Sequence, residues 1–435
     1  MGPEQQSDFT ERNIQAIAAY LSSGDKACAC RLGLELEQFV MTDAGASVPY
    51  SGPGGVAQLL DEMRVNYEAQ IREGSSLLGL TRPGTALTLE PGAQVEISTG
   101  PFCRIHQLEE SFAQFESELL APLTRRGQRL LACGYRPDLR ADDVELLPKD
   151  RYRFMDARFQ RTGSQGRQMM RGSASTQVSI DYTDEADAIL KMRIATLIGP
   201  LLALATDTTT RYEGAPAPGR MIRTMIWSDV DPARCTTVPG LFDPDFGFAG
   251  YARALYSAPL VVCLCPDGSF GDAGDHSAAE LTATRLITRA EIEHLLSMFF
   301  FDVRLKNYVE IRMADSMTID LALSLTALIK GVFYAPDALA ELSSTLKLAE
   351  RSAADVAEAK EILRAQGYAG CMYGGLSAAA WLDLLVELAR RDLPEDERPY
   401  LEPLARLISQ RQTPRDVASA ASASGSESEN ESDPR

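Results

Sequence analysis

The stretch Arg31–Phe39, RLGLELEQF, decides the fold class. Leu32, Leu34 and Leu36 alternate with Gly33, Glu35 and Glu37, so an extended strand puts three leucines on one face and both carboxylates on the other. The same period of two recurs in Gln94–Thr99, where Val95, Ile97 and Thr99 alternate with Gln94, Glu96 and Ser98. In Ser175–Tyr182, Thr176, Val178, Ile180 and Tyr182 alternate with Ser175, Gln177, Ser179 and Asp181; in Val309–Met313, Val309, Ile311 and Met313 alternate with Glu310 and Arg312. Strands with one apolar and one polar face form an antiparallel sheet that helices cover on one side only. The other side must meet water or a ligand, and the fold class is α+β.

Between these strands the apolar period changes to that of a helix. In Gln107–Leu131, Leu108, Phe112, Phe115, Leu119, Leu120 and Leu123 make one face. Thr183–Thr206 and Thr288–Phe300 read as helices too, the second opening with the capping-box pattern Thr288-x-x-Glu291. Gly52–Gly55 reads as a turn before a helix over Val56–Gln70. From Met317 to Ser409 almost everything is helical, including Ala338–Gln366 and Trp381–Arg391. The apolar runs Ala195–Ala205 and Ile319–Phe333 fall short of the roughly 20 residues that span a bilayer and read as buried helices. The expected organisation is a catalytic core over 1–335, a helical extension over 336–415 packed on it, and a disordered acidic Ser/Glu tail over 416–435.

The chain has 435 residues, with 43 Lys+Arg against 61 Asp+Glu and a formal charge of −18. That excess argues against binding nucleic acid by phosphate neutralisation and against a polybasic membrane-surface protein. The eight cysteines and an N-terminus without an apolar signal region predict reduced thiols and a cytoplasmic protein. The pairs Cys28/Cys30 and Cys263/Cys265 read as core packing, with no redox switch expected. His106, His276 and His294 fit no metal-binding pattern. Phosphate-loop, dinucleotide and nucleophile-elbow motifs are absent from the sequence.

A single acidic strand reads as a solvated face, but several side by side bring Glu35, Glu37, Glu90, Glu96 and Glu310 together. Two such charges 4 Å apart repel by about 4 kcal/mol at an effective dielectric of about 20. Protonation or a divalent cation relieves that, and oxygen-only ligands favour Mg²⁺ or Mn²⁺ over zinc. Lys149 and Arg151, Arg223, and Lys306 and Arg312 lie close to these strands in the chain. Each alone reads as a surface charge; acids and cations on one strand, Glu310 with Arg312, point to phosphoryl chemistry.

Six segments, in order, carry a resemblance to a known family: Gly33–Phe39 (GLELEQF), Leu89–Glu96 (LEPGAQVE), Pro148–Tyr152 (PKDRY), Met169-Met170 followed by Gln177-Val-x-x-Asp181, Ile226–Asp231 (IWSDVD) and Val303–Asp315 (VRLKNYVEIRMAD). The chain resembles the plant-type glutamate-cysteine ligases, found also in many bacteria, within the carboxylate-amine ligases of the glutamine synthetase-like fold. The resemblance implies an antiparallel sheet with a concave polar active-site face and the reaction of ATP, L-glutamate and L-cysteine to γ-glutamylcysteine through a γ-glutamyl phosphate, the first step of glutathione biosynthesis. It implies that Glu35, Glu37, Glu90, Glu96 and Glu310 bind two or three Mg²⁺ or Mn²⁺ ions and that Arg312 and Lys306 stabilise charge on the transferring phosphoryl group. Arg223 would bind glutamate, Gln177 would line the substrate pocket, and Lys149 and Arg151 would contact ATP. Small-molecule partners are implied, without nucleic acid or membrane, in a monomer or homodimer.

The run Arg171–Thr176 and Ser179 depart from the family pattern, which usually has an Asn at the latter position. A relative joining glutamate to another amine and a non-catalytic acidic scaffold are the alternative readings. Because Glu310 reads as one member of a repelling cluster, Glu310→Ala is expected to abolish turnover with little loss of stability.

Overall fold

The computed structural model describes residues 3–265 and 267–421. Its centre is a nine-stranded sheet formed by Leu32–Thr42 (β1), Ala69–Glu73 (β2), Ser76–Arg82 (β3), Thr85–Leu89 (β4), Val95–Phe102 (β5), Gln128–Leu131 (β6), Ser175–Ile180 (β7), Val303–Leu305 (β8) and Val309–Asp315 (β9). The order across the sheet is β8-β9-β7-β1-β5-β4-β3-β2, with β6 pairing the far end of β1. The pairings are antiparallel, as the alternating strands require.

Leu32, Leu34 and Leu36 of β1 are fully buried beneath three helices that cover the apolar face: Ile105–Arg125 (α1), Glu185–Ala205 (α2) and Ile319–Phe333 (α3). By length and composition α2 is apolar enough to cross a membrane, but it is buried inside the protein. The later helices Pro336–Leu346, Ala353–Gln366, Ala378–Asp392 and Arg398–Ser409 form an outer layer around α2 and α3, with Trp381 fully buried. Their apolar residues join the same hydrophobic cluster as the sheet.

The structure moves several sequence-based boundaries. The helix expected over Gln107–Leu131 ends at Arg125, because Gly127 takes a left-handed φ of 61° and turns the chain into β6, where Leu130 and Leu131 pair with β1. The helix expected over Val56–Gln70 stops at Met63, and Ala69–Glu73 is instead the edge strand β2. Thr288 and Glu291 do form the capping box. The core-packing reading of the cysteine pairs is corrected: Cys28 is exposed and Cys30, Cys263 and Cys265 are partly exposed, while Cys235 is buried. Cys30 Sγ lies 2.9 Å from Cys103 Sγ. The acidic tail starts later than expected, since residues 414–421 are helical and Asp416 pairs with Arg220 at 3.2 Å. The rest of the expected tail, 422–435, lies outside the described residues.

Candidate active site

The polar face of the sheet is the floor of a cavity of about 280 Å³. Its carboxylates are placed by strand register. Glu37 on β1 stands directly opposite Glu96 on β5, while Glu35 pairs across β1 with Ser98 on one side and Gln177 on the other. Glu90 follows β4 at a tight turn in which its carbonyl accepts the Ala93 N–H at 2.8 Å and Ala93 is left-handed, at φ 62°. The apolar alternation that buries the leucines thus fixes which acids face the cavity.

Glu35, Glu37, Glu90, Glu96, Gln177, Arg151, Arg223, Lys306 and Arg312 all line this cavity. Gln177 spans it: its Nε2 donates to Glu37 Oε1 at 3.0 Å and its Oε1 accepts from Arg312. Glu37 also accepts from the Ser175 N–H at 2.7 Å and the Ser175 hydroxyl at 2.8 Å. Arg223 reaches the floor from the helix Ile222–Trp227, donating to the Arg312 carbonyl at 2.9 Å.

Two expected residues sit elsewhere. Lys149 is outside the cavity lining, its ammonium 5.0 Å from the Tyr152 ring centre. Glu310 is fully buried beneath the floor, with Arg304 Nε 2.6 Å, Arg312 Nη1 2.9 Å and Lys306 Nζ 3.3 Å from its carboxylate. As arranged it is the counter-ion of three cations, not a member of a repelling cluster, and acting as a metal ligand would require one of those cations to let go.

Burial, then the neighbouring carboxylates, pushes Glu35, Glu37, Glu90 and Glu96 up to about 7. Burial would raise Glu310 as well, but Arg304, Lys306 and Arg312 hold it well below the usual carboxylate range. Burial lowers Lys306 and Arg223, as desolvation disfavours their charged forms. The floor therefore carries acids that resist ionising beside cations that resist desolvation, and a polyanion with its counter-cation would relieve both.

The sequence reading gave no role to Arg304, the cation nearest Glu310, or to the aromatic and methionine wall of Tyr152, Met155, Met169, Met170, Trp227 and Phe300 that also lines the cavity. Arg304 was legible in hairpin register, since it lies across from Glu310. Arg151 Nε, Arg223 Nε and Trp227 Nε1 are buried donors without a hydrogen-bond partner. Such groups cost free energy until an acceptor arrives, which suits a site for anionic ligands. A second, more open cleft of about 550 Å³ shares Glu35 and continues along the sheet past Gly33, Ser98, Asn307 and Tyr308, with Lys26 and Arg31 in its lining.

An antiparallel sheet with helices on one side and this polar floor on the other is the fold of the glutamine synthetase-like ligases. Among solved structures, glutamate-cysteine ligase from Francisella tularensis in complex with AMP matches with a TM-score of 0.52 over 90% of this chain and 84% of that one, at 12% identity, a likeness of fold. The chain belongs to glutamate-cysteine ligase family 2, whose model matches residues 31–432. It is similar to the chloroplastic glutamate-cysteine ligases of Brassica juncea, 30% identical over 335 residues, and of Arabidopsis thaliana, 29% identical over 334. Each match covers 74% of this chain but 64% and 63% of the relative, so the chain spans under two thirds of their length. These names correct the cytoplasmic placement expected from the N-terminus, since both relatives are chloroplastic.

Proposed function

We propose that this chain is an ATP-dependent glutamate-cysteine ligase, joining the γ-carboxylate of L-glutamate to the amine of L-cysteine with release of ADP and phosphate. The observation that carries the reading is the cavity itself, where four carboxylates, Glu37 buried and Glu35, Glu90 and Glu96 half-buried, face Arg151, Arg223, Arg304, Lys306 and Arg312 with Gln177 between them. Family membership supports it.

The donor set fits a hard divalent cation: Glu35, Glu37, Glu90 and Glu96 offer oxygens alone, and burial makes their charge costly without a counter-ion. Among the described residues no three His, Cys, Asp or Glu side chains form a ready-made metal site. That suits Mg²⁺, which commonly takes one or two carboxylates and completes its shell with substrate phosphates and water. Bound there, Mg²⁺ or Mn²⁺ would neutralise charge on the phosphates.

The chain's own residues supply positioning and charge. Arg312 and Lys306 stabilise the phosphoryl group as the glutamate carboxylate attacks it. Gln177 fixes Arg312 relative to Glu37, and Arg223 holds the glutamate. ATP is assigned to the sharing point of the two spaces, its nucleoside in the open cleft and its phosphates over Glu35. Arg151 remains a phosphate contact, and Lys149, outside the lining, acts as a longer-range charge. The aromatic and methionine wall excludes water from the acyl phosphate, for which water competes with the amine.

Phosphate release from ATP with Mg²⁺ and glutamate, measured with and without cysteine, tests this. Cysteine-dependent release is expected. Release that responds to another amine and ignores cysteine would assign a different acceptor, and no turnover would favour the scaffold. Arg223→Ala should chiefly raise the glutamate KM; an unchanged KM would move Arg223 out of the pocket.

A further inference from the structure

The helix that carries Arg223 has six residues, Ile222–Trp227, too few to hold a direction by its own hydrogen bonds. Its orientation comes from its ends. Beyond its C-terminus the Asp229 carbonyl accepts the Gln165 N–H at 3.0 Å. At its N-terminus Met221 is left-handed, at φ 52° and ψ 49°, a strained conformation that a non-glycine residue keeps only where its surroundings enforce it.

That enforcement comes from two distant segments. Asp207, fully buried just past α2, accepts the Met221 N–H at 3.0 Å. The adjacent Thr208 and Thr209 hydroxyls donate to Asp315, at the end of β9, at 3.2 and 3.0 Å. The segment Asp207–Thr209 thus ties the start of the Arg223 helix to the end of the strand that bears Arg312. Arg415, from the segment expected to lie beside a disordered tail, closes the arrangement from outside. Its N–H donates to the Asp207 carbonyl at 2.9 Å, and its guanidinium lies 3.8 Å from the Asp207 carboxylate and donates to the Gly219 carbonyl. Next to it, Asp416 accepts from Arg220 at 3.2 Å and from the Thr413 hydroxyl at 2.9 Å. Gly219, Arg220 and Met221 are therefore each held, one after another, by Arg415, Asp416 and Asp207.

We propose that Arg415 and Asp207 are positioning residues for Arg223, so that the C-terminal segment sets the glutamate affinity of a pocket that it does not touch. This rests on the ligase reading above for its kinetic consequence, but not for its structural one. Neutralising Arg415 removes the cation beside a buried carboxylate and the donor to Gly219, which frees the left-handed turn to relax and lets Arg223 drift from the floor.

The test uses the full chain and Arg415→Met, Arg415→Lys, Asp207→Asn and, as a control, Arg411→Met, whose partner is the surface residue Asp383. In Arg415→Met the glutamate KM should rise about tenfold with the ATP KM within about twofold, Arg415→Lys should recover most of the loss, and Arg411→Met should match wild type. Hydrogen exchange, which needs no turnover, should show lost protection confined to residues 219–228 in Arg415→Met and, if that variant fails to fold, in Asp207→Asn. Asp207→Asn should reproduce the KM pattern. Unchanged glutamate KM, equal rises in both KM values, or unchanged protection at 219–228 would overturn the proposal. If the wild type shows no turnover, the ligase reading falls and the exchange experiment alone decides whether the strut exists.

Discussion

Arg304 and Glu310 face each other across the β8–β9 hairpin, with guanidinium Nε 2.6 Å from carboxylate Oε2 and both side chains buried. Lys306 and Arg312 complete the shell around the same carboxylate. Removing one partner of such a buried set leaves uncompensated charge and costs about 3–5 kcal/mol. Glu310→Ala should therefore lower the unfolding free energy read from urea titration by that amount as well as abolish turnover. This reverses the expectation from sequence, and a variant as stable as wild type would restore it.

Glu37 and Glu96, directly opposed on β1 and β5, should behave in the opposite way. Their folded values near 7 stand above the ordinary 4.5, so their protonated forms favour the fold below pH 4.5 and that contribution is lost as pH rises through 7. Without divalent cations, Glu96→Gln should be more stable than wild type at pH 8, by up to about 1 kcal/mol, with the gap shrinking at pH 5. Thermal melts at the two pH values check this.

Glu397 joins the outer helical layer to the core. It is 1% exposed, accepts the Ile105 N–H at 3.0 Å at the start of α1, and has Lys330 Nζ of α3 2.5 Å away. Glu397→Ala strands that lysine, and a loss of about 3 kcal/mol is expected in one cooperative transition. Two separate transitions would mean that the layer unfolds by itself.

The Cys30 and Cys103 thiols lie 2.9 Å apart, close in the chain to Arg31 and Pro101, which line the open cleft. The hydrogen bond with Cys103, then burial, pushes Cys30 up to about 11, so its thiolate is scarce at neutral pH. With diamide as oxidant the two thiols should join with loss of two hydrogens, faster at pH 9 than at pH 7. Peptide mapping by mass identifies the link, and Cys103→Ser should abolish it. A link formed here would overturn the expectation of no redox switch, which had no means of bringing residues 30 and 103 together.

What the sequence made legible was what strand alternation can carry. Glu35, Glu37 and Glu96 face one way because the intervening leucines, valine and isoleucine face the other, and that holds whatever the strand order. Glu310 obeys the same alternation, yet its surroundings were misread, because Arg304 lies six positions away along the chain and opposite it only once the hairpin closes. The aromatic and methionine wall was hidden for a related reason: Tyr152, Met169 and Trp227 come from separate helical segments whose approach no local period encodes. At Asp416 the composition of the tail outweighed one short ion-paired turn.

The strand order sets a timetable for making the site. Its carboxylates arrive early in synthesis, at positions 35, 37, 90 and 96, while the hairpin with Arg304, Lys306 and Arg312 is among the last parts of the sheet to be made. β7 can pair with β1 long before β9 exists, but Arg304, Lys306 and Arg312, three of the five cations that offset the floor's charge, come only with the β8–β9 hairpin. Such distant pairing slows folding, because loop closure must precede its reward. A nascent chain of about 300 residues thus holds seven of the nine strands, with an acidic face still waiting for three of its five counter-charges.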